Sequence, residues 1–370
     1  MAAPPLSLRA INRATLARQL LLERATLPVE AAVEHLVGLQ AQTTHSWYVG
    51  LWTRLEGFDA PAAGALLTAR RLVRIALMRS TIHLVTAADC LALRPLLQPV
   101  IERSTQGNFG RSLEGLDRAE LVAAGRAAVE AAPLTFSALG RTLAERWPER
   151  DPASLAQGIR AGVPLVQLPP RGVWGASGPA AHTSAEAWLG RPLKALPLDD
   201  LVLRYLGAFG PATVRDAQTW SGLTRLGEVF DRLRPRLLTF RDPQGAELFD
   251  LPDAPRPDAA APAPVRFLYD FDNLLLSHAD RSRVIAPAYF DQGFTADGPM
   301  PSMVLIDGFT ACTWKAVVRR RGAATLTVQP FTRLAPAVRD EVLAEGARLL
   351  AFLAPAAAQD VQIVAPRGAA

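Results

Sequence analysis

The sequence predicts an α+β fold from three observations. Amphipathic helical stretches run repeatedly into short strands, 30 prolines among 370 residues stop those elements early, and the last third is rich in β-branched and aromatic residues. Apolar residues at 49% and charged residues at 20% permit a sizeable core and exclude a disordered chain. At roughly 150 residues per domain, this length corresponds to two or three domains.

The first helix is expected over residues 12–25, where LARQLLLERA has helical periodicity. Pro28 opens a second, whose apolar stripe runs through Val33, Leu36 and Val37. Trp47, Val49, Leu51, Trp52 and Leu55 mark a third helix over 46–55, and a fourth is expected over 61–71. Residues 77–85 then alternate like strands. Helices followed by a short hairpin make a winged helix, here extended by a helix over 88–103, with a boundary in the glycine-containing stretch 107–115. The pattern returns in FSALGRTLAERW, an Asp151-capped helix and VPLVQLPPRGVWG, with Pro169, Pro170 and Gly172 at the wing tip. It returns again in LDDLVLRYLGAFG, VRDAQTW, a helix capped by Thr224, and strands 237–242 and 246–252 around a Pro-Gln-Gly turn. A proline-alanine linker, 253–265, leads to strands expected over 267–276, 282–287, 303–318 and 323–331, a helix over 335–353 and a frayed tail at 366–370. The expected organisation is therefore three tandem winged-helix modules, 1–112, 113–195 and 196–262, and a small β-barrel or sheet module with a terminal helix, 263–370.

The net charge of +5 is unevenly placed. Through Arg111 there are 12 arginines against 7 acidic residues, and the remainder is balanced. Such asymmetry fits a surface facing a polyanion; a solvated helix face produces the same count. Only Lys194 and Lys315 are lysines, and the two cysteines, Cys90 and Cys312, suit buried positions in a reducing cytoplasm. The five histidines, His35, His45, His83, His182 and His278, lack zinc-ligand spacing, so no metal is expected. No signal peptide and no membrane span is expected either.

The residues singled out for chemistry are Gln40 and Gln42 in GLQAQ. Gln40 falls where the apolar stripe would next place a core residue, and a buried amide needs partners. Two residues apart on a helix point about 200° from each other, so both reach one cavity only if the helix ends here. A Gln40 bonded to a neighbouring backbone with a solvated Gln42 fits the same spacing.

HLVGLQAQ, the following tryptophan-containing helix and RSTIHLV together resemble the winged-helix DNA glycosylase family of AlkZ and YcaQ. PPRGVWG, WLG, FDNLLLSHADRSRVI and VLIDGFTACTWK extend the resemblance over nearly the whole chain. It implies three winged helices and a β-barrel around a concave, DNA-sized channel, and a catalytic Gln-x-Gln motif at Gln40 and Gln42 in the AlkZ-like form. That branch is associated with excision of alkylated purines, including interstrand crosslinks and bulky natural-product adducts. The implied activity is a glycosylase without strand cleavage, acting in repair or genotoxin self-resistance. Its substrate is double-stranded DNA, it needs no metal or nucleotide cofactor, and it works as a monomer on the nucleoid. Arg79, Ser80, Thr81 and His83 are candidates for the DNA backbone or the site lining, as are Arg171 at the second wing and His278, Arg281 and Arg283 in HADRSR by charge. Asp280 equally fits pairing with those arginines. The family also suggests a DNA-probing hairpin at residues 291–298, here acidic, for which a flexible lid is the alternative; Arg319-Arg320-Arg321 fits a phosphate contact or a solvated turn. The competing reading is a non-enzymatic winged-helix transcriptional regulator, since fold alone does not give function; a damage sensor that does not cut is a third.

Overall fold

The computed structural model describes residues 4–290, 301–319 and 322–366. The first helix is Leu8–Arg18, started by Ser7, whose hydroxyl accepts from Ala10 N at 3.1 Å. It ends earlier than the periodicity suggests because Leu20 turns to φ 57° and Leu21 N closes back on Leu16 O at 2.9 Å. The second helix, Val29–His35, likewise stops short of Gln40. Val37 at φ 53° and Gly38 at φ 89° reverse the chain, and Leu39–Gln40 emerges as a strand. A Cβ at Gly38 would lie 2.6 Å from Val85 and 2.9 Å from the Leu84 carbonyl oxygen, so only glycine fits this turn. Trp47–Trp52 and Ala60–Thr68 complete the first set of helices.

Six strands form one antiparallel sheet: β1 (Leu39–Gln40), β2 (Leu72–Ala76), β3 (Ile82–Thr86), β4 (Leu134–Thr135), β5 (Leu165–Gln167) and β6 (Ala181–Ser184), in the order β1-β3-β2-β5-β6-β4. Pairing of Arg74 with Gln167 and Ile75 with Val166 carries this sheet across the module boundary placed at 112/113. Residues 77–81, expected as strand, form the β2–β3 turn, with Arg79 and Ser80 at φ 54° and 60°. The long helix expected over 88–103 is two, Ala87–Leu96 and Gln98–Phe109, because the second starts afresh with Pro99 in its first turn.

Asp117, Thr135 and Asp151 cap the second module's helices, Arg118–Ala131, Phe136–Ala144 and Pro152–Gly162. The third module has helices Leu198–Phe209, Val214–Ser221 and Gly227–Leu233, and a hairpin of β7 (Leu238–Arg241) and β8 (Glu247–Asp250). Thr224 does not cap the last of these helices; Leu226 precedes it, its N donating to Gln218 Oε1 at 3.0 Å.

The C-terminal module is a curled half-barrel of β9 (Arg266–Phe267), β10 (Met303–Ile306), β11 (Phe309–Val318), β12 (Ala323–Pro330) and β13 (Ala358–Ile363), ordered β13-β12-β11-β10-β9. Helix Pro336–Leu353 connects β12 to the unexpected β13, which pairs parallel to it. The strands expected over 267–276 and 282–287 shrink to β9. Asp272 takes Leu274 N into a local turn at 3.0 Å, which competes with a strand ladder. The 291–298 turn, Arg320, Arg321 and the last four residues lie outside the described residues.

The arginine excess of the first third is partly internal. Arg13 pairs with Asp307, Arg18 with Asp250, Arg24 with Glu345 and Arg54 with Asp272, so acids from later modules neutralise arginines from the first. The count that suggested a polyanion-facing surface thus records, in part, ion pairs that tie modules together. Cys90 and Cys312 are buried, which pushes both thiols up to about 12. No described helix is long and apolar enough to cross a membrane.

Candidate active site

Strand β1 carries Gln40, and Gln42 follows two residues on, in a bend just past the strand's end. The helix has ended at His35, before either glutamine, so the conflict posed by a helix disappears. Both amides turn toward the β2–β3 turn: Arg79 Nη2 donates to Gln40 Oε1 at 2.7 Å, and Ile82 N donates to Gln42 Oε1 at 3.2 Å. A guanidinium and a peptide N–H can only donate, which fixes each amide with its oxygen inward and its NH2 outward. Gln40 is buried and Gln42 is exposed.

The backbone beneath them is held on both sides. Ala41 N donates to Ile82 O at 2.7 Å, and Ala41 O accepts from Arg74 Nη2 at 2.8 Å. On its free edge, β1 is paired by a side chain: Asn273 Oδ1 accepts from Gln40 N at 3.0 Å, and Asn273 Nδ2 donates to Gly38 O at 2.7 Å. A residue of the C-terminal module therefore acts as the missing strand partner. Replacing it, Asn273→Ala, leaves a buried N–H and a buried carbonyl unpaired and should cost about 2–4 kcal/mol. A urea midpoint that does not fall in this variant would contradict the assignment.

Arg79 is the centre of the electrostatics. Its Nη1 donates to Trp220 O at 2.6 Å, reaching the third module, and burial lowers its pKa to about 10, so it stays charged at neutral pH. Arg160 donates to Ser80 O, and Arg103 to Gly222 O beside it. Arg74, Arg79, Arg103 and Arg160 have no carboxylate partner among the described residues, unlike the arginines that join the modules. Of the four, Arg103 is exposed and can meet a phosphate directly, Arg79 and Arg160 are half-buried, and Arg74 is buried and holds the backbone beneath the motif.

The structure gathers Gln40, Gln42, Arg79, Ser80, Thr81 and His83 into this one site. His83 faces Gln40 across the ladder and is fully buried; its Nδ1 lies 3.0 Å from Thr81 O, and burial lowers its pKa to about 3. That burial removes it from the DNA backbone, and it acts as a packed neutral imidazole. Arg171 lies near Arg74, whose pKa falls to about 10 through burial and then the Arg171 charge. Arg281 is half-buried and its charge is felt at Arg79.

His278 and Arg283 do not fit a phosphate contact. His278 is buried with Nε2 3.0 Å from Phe209 O, and Arg283 is buried against Asp216 and Pro211 O. Asp280 takes Ser282 N and Oγ instead of pairing the arginines. Missed in the sequence were Arg74, Arg160, Asn273 and Asp270. Asp270, an acid inside the apolar run FLYDFDN, was the most visible signal.

A mixed helix-and-sheet chain in which arginines without carboxylate partners brace an amide pair is a protein built to act on nucleic acid. It belongs to the AlkZ-like DNA glycosylase family, whose model matches residues 33–352. Among solved structures it is similar to the DNA glycosylase AlkZ of Streptomyces sahachiroi, with 21% identity, a TM-score of 0.78, and coverage of 97% of this chain and 100% of that one. No curated protein matches by sequence. The chain is thus a DNA glycosylase, and the expectation of a non-enzymatic regulator is set aside.

Proposed function

We propose that the chain hydrolyses the N-glycosidic bond of N7-alkylated purines in duplex DNA, with bulky adducts and interstrand crosslinks in its range, and leaves an abasic site. The observation that carries this reading is the chemistry of the motif: two neutral amides, one of them exposed, and no acid in either position. A purine alkylated at N7 already carries a positive charge and leaves as a neutral base, so no strong general acid is required. Gln42, held by Ile82 N, keeps a second oxygen lone pair and its NH2 group for orienting a water beneath C1′. Gln40, fixed by Arg79, sets the position of that strand. An unmodified purine, a far worse leaving group, is left intact.

Cleavage of the strand through a Schiff base would need an amine at the sugar. Lys194 and Lys315 are both exposed, and neither hydrogen-bonds residues 38–43. This supports a glycosylase that stops at the abasic site; the proposal further takes it to work as a monomer on chromosomal DNA in the cytoplasm, with no metal or nucleotide.

The test incubates the protein with a duplex holding one N7-methylguanine and with its unmodified twin, then converts abasic sites to breaks with alkali. Breaks in the methylated duplex should exceed those in the same duplex without protein, and the unmodified twin should give none; a methylated yield no higher than without protein, or an equal yield from both duplexes, ends the proposal. Binding should weaken with salt at a log–log slope of about −5 if ~6 phosphates are contacted.

A further inference from the structure

Two carboxylates of the C-terminal module stand next to the catalytic strand, and the fold treats them oppositely. Asp272 is fully buried and gripped at both oxygens by Arg54, at 2.9 and 2.7 Å. Asp270 is half-buried and has no ion-pair partner among the described residues. Its Oδ2 accepts from the hydroxyl of Thr43, the residue directly after Gln42, and its Oδ1 takes no protein donor among the described residues.

The placement of Asp270 is firmly determined. Tyr269, its neighbour, is buried under Gly50, where a Cβ would come 2.6 Å from the ring. Asn273, three residues on, is bonded to Gly38 and Gln40. The loop is thus anchored on both sides of Asp270, yet this one acid is left open against Thr43, the residue that follows an exposed glutamine. A carboxylate held without a cation in such a place is not there for stability, since an ion pair or a neutral side chain would serve better.

We propose that Asp270 is a catalytic carboxylate for this site, supplied from the C-terminal module to a motif that has none of its own. The inference rests on the hydrolytic reading above. In the reaction, the C1′–N9 bond breaks with its electron pair going to the purine, which cancels the charge left by N7 alkylation. The oxygen of water bonds to C1′, and a proton of that water passes to Asp270 Oδ1 and then to solvent. While the bond breaks, the same negative charge faces the cationic sugar and offsets the repulsion from Arg79. The Thr43 hydroxyl orients the carboxylate by holding Oδ2.

The experiment measures single-turnover release of N7-methylguanine from duplex DNA, with duplex affinity measured in parallel. Asp270→Asn keeps an oxygen for Thr43, so the loop is retained, and its rate constant should fall ~10²-fold with affinity unchanged. Asp270→Ala should be as slow, and added formate should restore part of its rate while leaving Gln42→Ala as it was. A rate for Asp270→Asn within twofold of wild type overturns the assignment. A loss in Asp270→Ala that formate does not recover, accompanied by weaker duplex binding, also overturns it and marks Asp270 as structural. A wild type inert on the methylated duplex sinks the substrate reading together with this one.

Discussion

Gln42→Ala should lower the single-turnover rate of base release about 10²-fold or more, the loss expected when one well-placed dipole is removed from a site of developing charge. Duplex affinity should hardly change, because Gln42 is one uncharged side chain beside a rim of arginines. The folded structure should also survive. Gln42 is exposed, and the Ile82 N–H that it caps at 3.2 Å can turn to water. Gln40→Ala should behave differently. It removes the one side-chain acceptor of Arg79 among the described residues, a half-buried guanidinium, so stability falls along with the rate. Pairing the rate constant with a urea midpoint separates the two: rate loss alone for Gln42, both losses for Gln40. A Gln42→Ala enzyme that releases N7-methylguanine at the wild-type rate would falsify the water-orienting role.

The second large effect is on stability toward acid. His83, His182 and His278 are buried, and burial lowers their pKa values to about 3, 4 and 3 from an ordinary 6.5. The unfolded chain takes up protons on these rings below pH 6.5, while the folded chain refuses them until far lower. Their contribution is therefore complete above pH 6.5 and is lost as the pH falls from there toward 3. At pH 5 each ring should cost about 2 kcal/mol, and the three together about 6 kcal/mol. That is comparable to the whole stability of many domains. The urea midpoint should drop steeply between pH 8 and pH 5, and less steeply in His278→Gln, which cannot titrate. Identical midpoints at the two pH values would mean that these rings are reached by solvent.

Much of this protein was legible from local chemistry. Asp151 caps its helix where the sequence placed a cap, and the recurring helices and short strands are present, although one sheet runs across the boundary expected at 112/113. The Gln-x-Gln pair was also visible, but its geometry was not. The stripe Val33-Leu36-Val37 points to a longer helix, and what turns Gln40 into a strand residue is pairing with β3 and with Asn273, which lies 233 residues away. Charge counting failed for the same reason. Arg18 and Arg54 look like surface cations until Asp250 and Asp272 arrive from other modules. β13 escaped notice because its parallel pairing depends on a crossover helix, which a linear pattern does not encode.

Since the edge of β1 is completed by an amide from Asn273, a polypeptide still on the ribosome has no finished catalytic strand until that codon, well past the third winged helix, has been translated and its product has emerged. Nascent or prematurely terminated chains that lack Asn273 would leave the edge of that strand unpaired. Reactivity toward DNA thereby depends on translation reaching the C-terminal module.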